Sequence, residues 1–183
     1  GGGVVRHTGA VAIGGDHFTN DLAVGLRTPI PEAEKIKRHH GCASANLLRQ
    51  DNSIEIASVG DRPPRTIFSR MLTDIIEPRA QELLALIADD LRRAGLDSQI
   101  PAGLVLAGGG ARLNGFAEFA EQGFHLPVRI AEPRGIQDMP EQVAQPEYAT
   151  AVGLVLYAAK ARRNAQQRSG NFVAKLKSMF VGA

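Results

Sequence analysis

The chain of 183 residues is poor in the residues that build disulfides and aromatic clusters: it has one cysteine, no tryptophan and two tyrosines. The single thiol, Cys42, excludes an intramolecular disulfide and is compatible with a reducing compartment. The formal net charge is only +2, so no overall field favours nucleic acid as a partner. No apolar run reaches the length of about 18 residues that a membrane-spanning helix needs. With 44% hydrophobic residues, the chain still has ordinary globular composition.

Negative charge is missing from the C-terminal end, where no acidic residue follows Glu147. The basic residues there are Lys160, Arg162, Arg163, Arg168, Lys175 and Lys177. This asymmetry favours contact with an anionic surface, most simply a membrane leaflet.

The most informative stretch is residues 102–114, AGLVLAGGGARLN. An apolar run at 104–106 predicts a buried strand, and the glycines Gly108, Gly109 and Gly110 lead to Ala111, where a helix is expected to begin. Glycine allows positive φ and a close ligand approach, and the free N–H groups at a helix start suit an anion. Such turns also occur for packing alone, so this stretch by itself leaves a nucleotide site and a packing turn equally open.

A second element, residues 31–42 (PEAEKIKRHHGC), predicts a helix with Pro31 in its first turn. Glu34 and Lys37 are three residues apart and share one face. They form either a solvated ion pair or a carboxylate–ammonium pair that holds the hydroxyls of a sugar. His39 and His40 beside Cys42 suggest a metal or catalytic pair, but no further ligand spacing supports it, so Cys42 is interpreted as a packed residue.

The pattern of turns and apolar residues predicts alternating strands and helices, which is typical of an α/β domain. Strands are expected at 4–13, 53–59, 104–106 and 128–130. Helices are expected from about 16 to 26 with Asp16 or Thr19 as the cap, and at 32–40, 66–94, 112–121 and 148–161. A turn at 60–64, a proline-rich loop at 133–146 and a polar linker at 160–170 separate them.

After the linker, residues 171–180 (NFVAKLKSMF) predict a short basic amphipathic helix. The residues expected at the membrane are Phe172, Val173, Lys175, Leu176, Lys177, Met179 and Phe180. The other interpretation is a helix that docks back on the domain. One such helix binds membrane weakly, and polymerisation would supply avidity by linking many tails.

The chain resembles the C-terminal half of the FtsA family of actin-like cell-division proteins. The resemblance rests on six motifs in order: GGDHFTNDLAVGL (14–26), AEKIK (33–37), HGCA (40–43), GDRPPR (60–65), IIEPRAQELL (75–84) and LVLAGGGARLNG (104–115), with the tail. It implies an actin-like (ribonuclease H-like) α/β subdomain 2A at 1–28 and 101–160. It also implies an inserted, smaller α+β subdomain 2B at 29–100, a linker at 161–170 and a membrane-targeting amphipathic helix at 171–183. Since Gly1 is not an initiator Met, the chain is expected to be a fragment without the first two subdomains.

The resemblance implies ATP as cofactor, with Mg²⁺ carried on its phosphates. Gly108, Gly109, Gly110 and Ala111 would lie against the adenosine and first phosphate, with Gly14, Gly15 and Thr19 nearby. Glu34 and Lys37 would contact ribose or adenine. No catalytic or metal-ligating residue is assigned, because the groups near the γ-phosphate are expected on the missing half, and hydrolysis in the family is at most weak.

The implied function is a polymerising adaptor that ties the ring of the tubulin-like protein FtsZ to the inner face of the cytoplasmic membrane at the septum. Arg79 and Glu82 would bind the C-terminal peptide of FtsZ, Arg65 would affect self-association, and other division proteins would join. The alternatives are an actin/Hsp70-fold ATPase, such as a chaperone or phosphotransferase, and a pilus-assembly actin homologue.

Overall fold

The computed structural model describes residues 4–60 and 62–180, with side chains described up to residue 165. The helices are α1 (Gly15–Gly25), α2 (Ile30–His40), α3 (Ser69–Arg93), α4 (Phe116–Phe124) and α5 (Ala149–Phe180). The strands are β1 (Ser53–Ile56), β2 (Arg65–Phe68), β3 (Leu104–Leu106) and β4 (Val128–Ile130). Short 3₁₀ turns lie at Ala45–Leu47, Gly109–Arg112 and Pro146–Tyr148. The chain divides into two compact units after Ala131, and α1–α4 and β1–β4 lie in the first.

The core of the first unit forms where α1, α2 and α3 pack together with the β1–β2 hairpin and α4. In α1 the buried residues Phe18 and Leu22 are four apart, and Leu26 follows at the same spacing, so they form one apolar stripe. Helix α1 ends at Gly25, the backbone of Arg27 is left-handed with φ +47°, and α2 begins at Ile30. The predicted subdomain boundaries at 1–28, 29–100 and 101–160 remain predictions.

Strand β2 occupies residues that the sequence predicted as the beginning of a helix. It pairs antiparallel with β1, and the buried Ile67 lies opposite the buried Ile54. The helical spacing of 66–94 was therefore misleading at its start, because cross-strand packing of β-branched residues outweighed it. From Ser69 the helix α3 runs unbroken through Pro78 to Arg93. Gly95, with the left-handed φ of +65° that is common after a helix, follows its end.

Strands β3 and β4 pair in parallel, with Leu104 opposite Val128. The glycines after β3 form the predicted bend, but the helix expected at 112–121 is divided. A 3₁₀ turn at Gly109–Arg112 comes first, and α4 begins only at Phe116. Gly115 causes this break, because its φ of +74° is left-handed and cannot continue a right-handed helix.

Two other local expectations are wrong. Residues 4–13 form no strand, since a strand needs a hydrogen-bonded neighbour and no described strand pairs with them; Val4 and Val5 are exposed. Neither Asp16 nor Thr19 caps α1, because the helix begins at Gly15 and the ring of His17 accepts the Gly14 N–H instead.

The backbone of α5 is helical across 160–170, where a linker was expected. Lys, Arg, Ala and Gln are good helix formers, so polarity alone did not distinguish this segment from a helix. The amphipathic tail is a prediction on residues whose side chains, 166–183, lie outside those described. Within the described residues, no helix combines the length and apolar character required to cross a bilayer.

Candidate functional site

Two glycine-containing turns from distant parts of the sequence line one cavity of about 150 Å³ in the first unit. Gly14 and Gly15 at the start of α1 form one wall, and Gly110 and Ala111 after β3 form the other. The absence of side chains at these glycines keeps the cavity open, since a Cβ built on Gly14 or Gly110 would meet no atom within 4 Å. Backbone on both sides can therefore approach a flat ligand closely.

The remaining walls are apolar, formed by Phe18, Leu83, Leu106, Ala107 and Phe116. Apolar walls with a few polar groups at the edge are typical of sites for heterocyclic ligands. The volume is below the range of about 300–1,000 Å³ that is common for such sites, so this cavity is large enough for only part of a nucleotide.

A compact polar network lies against Gly15. The ammonium of Lys37 donates to Glu34 Oε2 at 2.5 Å, to the Thr19 hydroxyl at 2.8 Å and to the Gly15 carbonyl at 3.0 Å. The Thr19 hydroxyl lies 2.5 Å from the same Glu34 oxygen. The network joins α1 to α2, so the predicted glutamate–lysine pair and the triple-glycine bend both border the Gly14–Gly15 turn.

The Glu34 carboxylate is kept ionised by this network. Partial burial raises its pKa, but the hydrogen bonds from Lys37 and Thr19 and the charges of Lys37 and Arg38 lower it, and the net effect is a pKa below that of an ordinary glutamate. A carboxylate accepts hydrogen bonds only, so the group suits a ligand that offers hydroxyl donors.

The structure does not bring every predicted ligand contact to the cavity wall. Gly108 and Gly109 shape the bend but do not line the cavity, and neither do Glu34 and Lys37. Gly108 has φ +90° and ψ 170°, a conformation that only glycine adopts readily, so its role in the bend is conformational. Among residues with described side chains, no group of three or more His, Cys, Asp or Glu could hold a metal ion. Cys42 is fully buried, as its interpretation as a packed residue requires.

Arg79, the predicted peptide-binding residue, is already engaged within the chain. Its guanidinium donates to both carboxylate oxygens of Asp21 on α1, at 2.6 and 3.1 Å, and to Glu82 at 2.5 Å. The hydrogen bond to Asp21 raises the pKa of Arg79, and the neighbouring charges add to this effect. A carboxylate-bearing partner would have to exchange with these acidic side chains.

Arg65, the residue predicted to affect self-association, lies on β2 and donates to the carbonyl of Leu26 at the end of α1. It therefore ties the hairpin to α1 while part of it stays at the surface. A larger cavity of about 370 Å³ lies between α3 and α4. It contains none of the predicted site residues, and its main apolar residues are Leu84, Phe119 and Phe124.

Sequence reasoning gave no role to Asp21. The family resemblance placed Thr19 near the pocket, but its hydrogen bonds to Glu34 and Lys37 were not predicted. The position of Thr19 carried a usable signal, because Gly15 and Thr19 are four apart on α1 and share a face, as do the pair Glu34 and Lys37 on α2. The contact between the two faces could not be derived without the packing of α1 on α2.

The fold is actin-like. The chain superposes on MreB5 of Spiroplasma citri, crystallised with ADP, with a TM-score of 0.67 at 17% identity. The match covers 85% of this chain and 47% of that MreB5 chain. The same bacterium's MreB5 bound to AMPPNP gives a TM-score of 0.64 at 17% identity and 47% coverage of that chain. MamK bound to AMPPNP, a non-polymerising mutant, gives 0.54 at 14% identity, over 76% of this chain and 44% of that one. At these identities the likeness establishes the fold alone.

Sequence comparison identifies the family. The profile described as "Cell division protein FtsA" matches residues 1–153. The chain is 44% identical to cell division protein FtsA of Pseudomonas aeruginosa over 155 residues, which is 85% of this chain and 37% of that protein. It is 39% identical to the Escherichia coli K12 protein over 172 residues, or 90% and 41% of the two lengths. The chain thus spans about two fifths of the curated relatives it matches. From its matched profile and these relatives, the chain belongs to the FtsA family of cell division proteins.

Proposed function

We propose that the chain is part of an ATP-binding, polymerising adaptor that anchors the FtsZ ring to the cytoplasmic face of the inner membrane at the division septum. Membership of the FtsA family supports the division role, and the actin-like fold supports nucleotide binding and self-association. The contacts with ATP, FtsZ and the membrane each have a candidate surface: the glycine cavity for ATP, the region of Arg79 for FtsZ, and the C-terminal tail for the membrane.

The observation that carries the nucleotide proposal is the glycine cavity. The adenine ring and first phosphate would lie between the Gly14–Gly15 turn and the Gly110–Ala111 turn, against the apolar walls. Glu34, with Lys37 beside it, would meet the ribose hydroxyls, and Gly108 and Gly109 would shape the bend. The phosphates would extend beyond this small cavity and carry Mg²⁺, for which no dedicated protein cage is proposed.

Titration with a fluorescent ATP analogue tests this site. The 183-residue chain is measured beside a chimera in which it replaces the matching segment of the full-length Pseudomonas aeruginosa relative. We expect saturable binding that unlabelled Mg-ATP displaces and inorganic phosphate does not. Absence of saturable binding in both proteins would overturn the proposal.

The proposed surface for the FtsZ peptide contains Arg79 and Glu82 on α3. An acidic peptide would pair with the planar guanidinium of Arg79 in two-pronged fashion and take the place of Asp21. Arg79→Glu should weaken binding of the FtsZ C-terminal peptide. Arg70→Glu is the matched control, since Arg70 is exposed on the same helix and pairs with Asp74. Equal peptide affinity for the Arg79 variant and the original chain would refute this surface. Arg65→Glu is expected to change self-association in sedimentation velocity.

The proposed membrane contact is the tail at 171–183. Its residues Phe172, Val173, Leu176, Met179 and Phe180 would enter the apolar zone of the leaflet, with Lys175 and Lys177 near the anionic headgroups. Phe172→Glu or Phe180→Glu should abolish co-sedimentation with anionic vesicles. Ser178→Glu adds the same charge away from the apolar face and should weaken binding only partly. Unchanged sedimentation of the phenylalanine variants would count against the anchor.

A further inference from the structure

The hydrogen bonds around Glu34 distinguish its two carboxylate oxygens. Thr19 and Lys37 both bind Oε2, and among the residues with described side chains no hydrogen bond reaches Oε1. The Glu34 side chain is 41% exposed, and Oε1 is the carboxylate oxygen that this network leaves unoccupied. Glu34 thus offers one fixed oxygen to the protein and one acceptor to a ligand.

Lys37, in contrast, has no donor left for a ligand. An ammonium carries three hydrogens, and those of Lys37 are matched by three acceptors: Glu34 Oε2, the Thr19 hydroxyl and the Gly15 carbonyl. Its side chain is only 13% exposed, so it is also shielded from an incoming molecule. The lysine is therefore placed to hold Glu34 and the Gly14–Gly15 turn.

Thr19 is the member of the network that fixes the direction of the carboxylate. It is buried, it lies on α1 rather than α2, and its hydroxyl both accepts from Lys37 and donates to Glu34. Without that hydroxyl, Glu34 and Lys37 would still be three apart on one helix, but the carboxylate would lose its anchor on α1. Free rotation about the side-chain bonds of Glu34 would then move Oε1.

We propose that Thr19 and Lys37 are positioning residues that hold Glu34 so that its Oε1 accepts a hydrogen bond from one hydroxyl of a ribose. This inference rests on the nucleotide site proposed above, and it assigns Lys37 no contact of its own with the nucleotide. Selectivity for a ribonucleotide over a deoxyribonucleotide then depends on Thr19, although Thr19 touches neither.

The test compares Mg-ATP with 2′-deoxy-ATP and 3′-deoxy-ATP by titration calorimetry, in the chain and in the chimera described above. A hydrogen bond from a hydroxyl to a carboxylate is charge-assisted, so one of the two deoxynucleotides should bind about tenfold to hundredfold more weakly than ATP. In Thr19→Val the ratio of the deoxynucleotide Kd to the ATP Kd should fall to about twofold. Thr19→Ser, which keeps a hydroxyl, should retain the ratio of the original chain.

Thr28→Val is the matched control. Thr28 is also a buried threonine beside α1, and its hydroxyl donates to the Ala57 carbonyl at 2.6 Å, away from Glu34. This variant should lose stability but keep the ribose-to-deoxyribose ratio. If Thr19→Val weakens ATP and the deoxynucleotides equally, Thr19 has only a structural role and the inference is overturned.

Lys37→Met gives an independent measurement if Thr19→Val does not fold. It keeps most of the side-chain volume and should also reduce the ratio to about twofold, and the double variant should show no further loss. Additive losses would mean that Lys37 contacts the nucleotide itself, which contradicts the inference. A ratio near one in the original chain, with tight ATP binding, would overturn the inference alone, whereas failure to bind any nucleotide would overturn the proposed site as well.

Discussion

Replacement of Gly110 by alanine adds one methyl group, and its effect on nucleotide affinity is expected to be opposite to its effect on the stability of the protein. Gly110 lines the cavity, its φ is not in the left-handed region, and a Cβ built there meets no protein atom within 4 Å. The folded chain should therefore accept Gly110→Ala without strain. Because alanine restricts the unfolded chain more than glycine does, the free energy of unfolding should rise by about 0.4–1 kcal/mol.

A nucleotide that lies against the Gly110 backbone would meet the new methyl group. Forcing an extra methyl into a close-packed contact costs about 1–3 kcal/mol, which corresponds to roughly 5-fold to 150-fold weaker binding. The assay is titration with Mg-ATP beside urea unfolding of the same preparation. The expected result is an unusual combination, in which stability increases and affinity falls.

Gly153→Ala in α5 is the control for the glycine effect. A Cβ at Gly153 also meets nothing within 4 Å, and the residue lies outside the unit that contains the cavity. It should gain about 0.5–1 kcal/mol of stability and leave ATP affinity unchanged. Gly108 is unsuitable, because its positive φ would add strain to any variant. If Gly110→Ala binds ATP as tightly as the original chain, the ligand does not lie at this turn and the reasoning is refuted.

Three other perturbations test the network, the arginine surface and the core. The Glu34 pKa is lowered in the folded chain, so the stabilising effect of the ionised carboxylate is present above the ordinary pKa of glutamate and is lost as the pH falls through the folded pKa. The melting temperature of Glu34→Gln should therefore fall less than that of the original chain as the solution is acidified through this range, and equal losses would contradict the assignment. Asp21→Asn releases a competitor of the peptide at Arg79 and should raise FtsZ-peptide affinity about twofold to fivefold in fluorescence anisotropy. Weaker binding would instead mean that Asp21 itself contacts the peptide. Leu72 is 0% exposed, so Leu72→Ala should lower the free energy of unfolding by about 2–5 kcal/mol in urea, and a loss as small as that of the exposed control Leu86→Ala would contradict the assigned core.

Elements defined by residues close in sequence were predicted well. The strand at 104–106 and the glycine bend after it were recognised from an apolar run and three glycines, and α2 was placed to within two residues of its observed start. The predicted burial of that strand is wrong, because β3 pairs only with β4 among the described strands and Val105 is 53% exposed. Pro31 carried the information about α2, because the fixed φ of proline suits the first turn of a helix.

Elements that depend on distant partners were predicted poorly. Residues 4–13 have the alternation of a strand but no paired neighbour in the described chain, and Ile67 has the spacing of a helix but lies opposite Ile54. In the candidate site, too, the contacts between residues close in sequence were predicted and the contacts between distant residues were not. The sequence selected Glu34 and Lys37 as a pair, while Thr19 and the Gly15 carbonyl joined them only through the packing of α1 on α2.

The sequence by itself determined which family the chain belongs to, which turns carry glycine, and where charge and apolar residues concentrate. The tertiary structure alone decided that the two glycine turns line one cavity, that every donor of Lys37 is used inside the protein, and that Arg79 pairs with Asp21. The physical reason is range: backbone preferences act over a few residues, whereas a hydrogen bond or a cavity needs groups that only folding brings within a few ångströms.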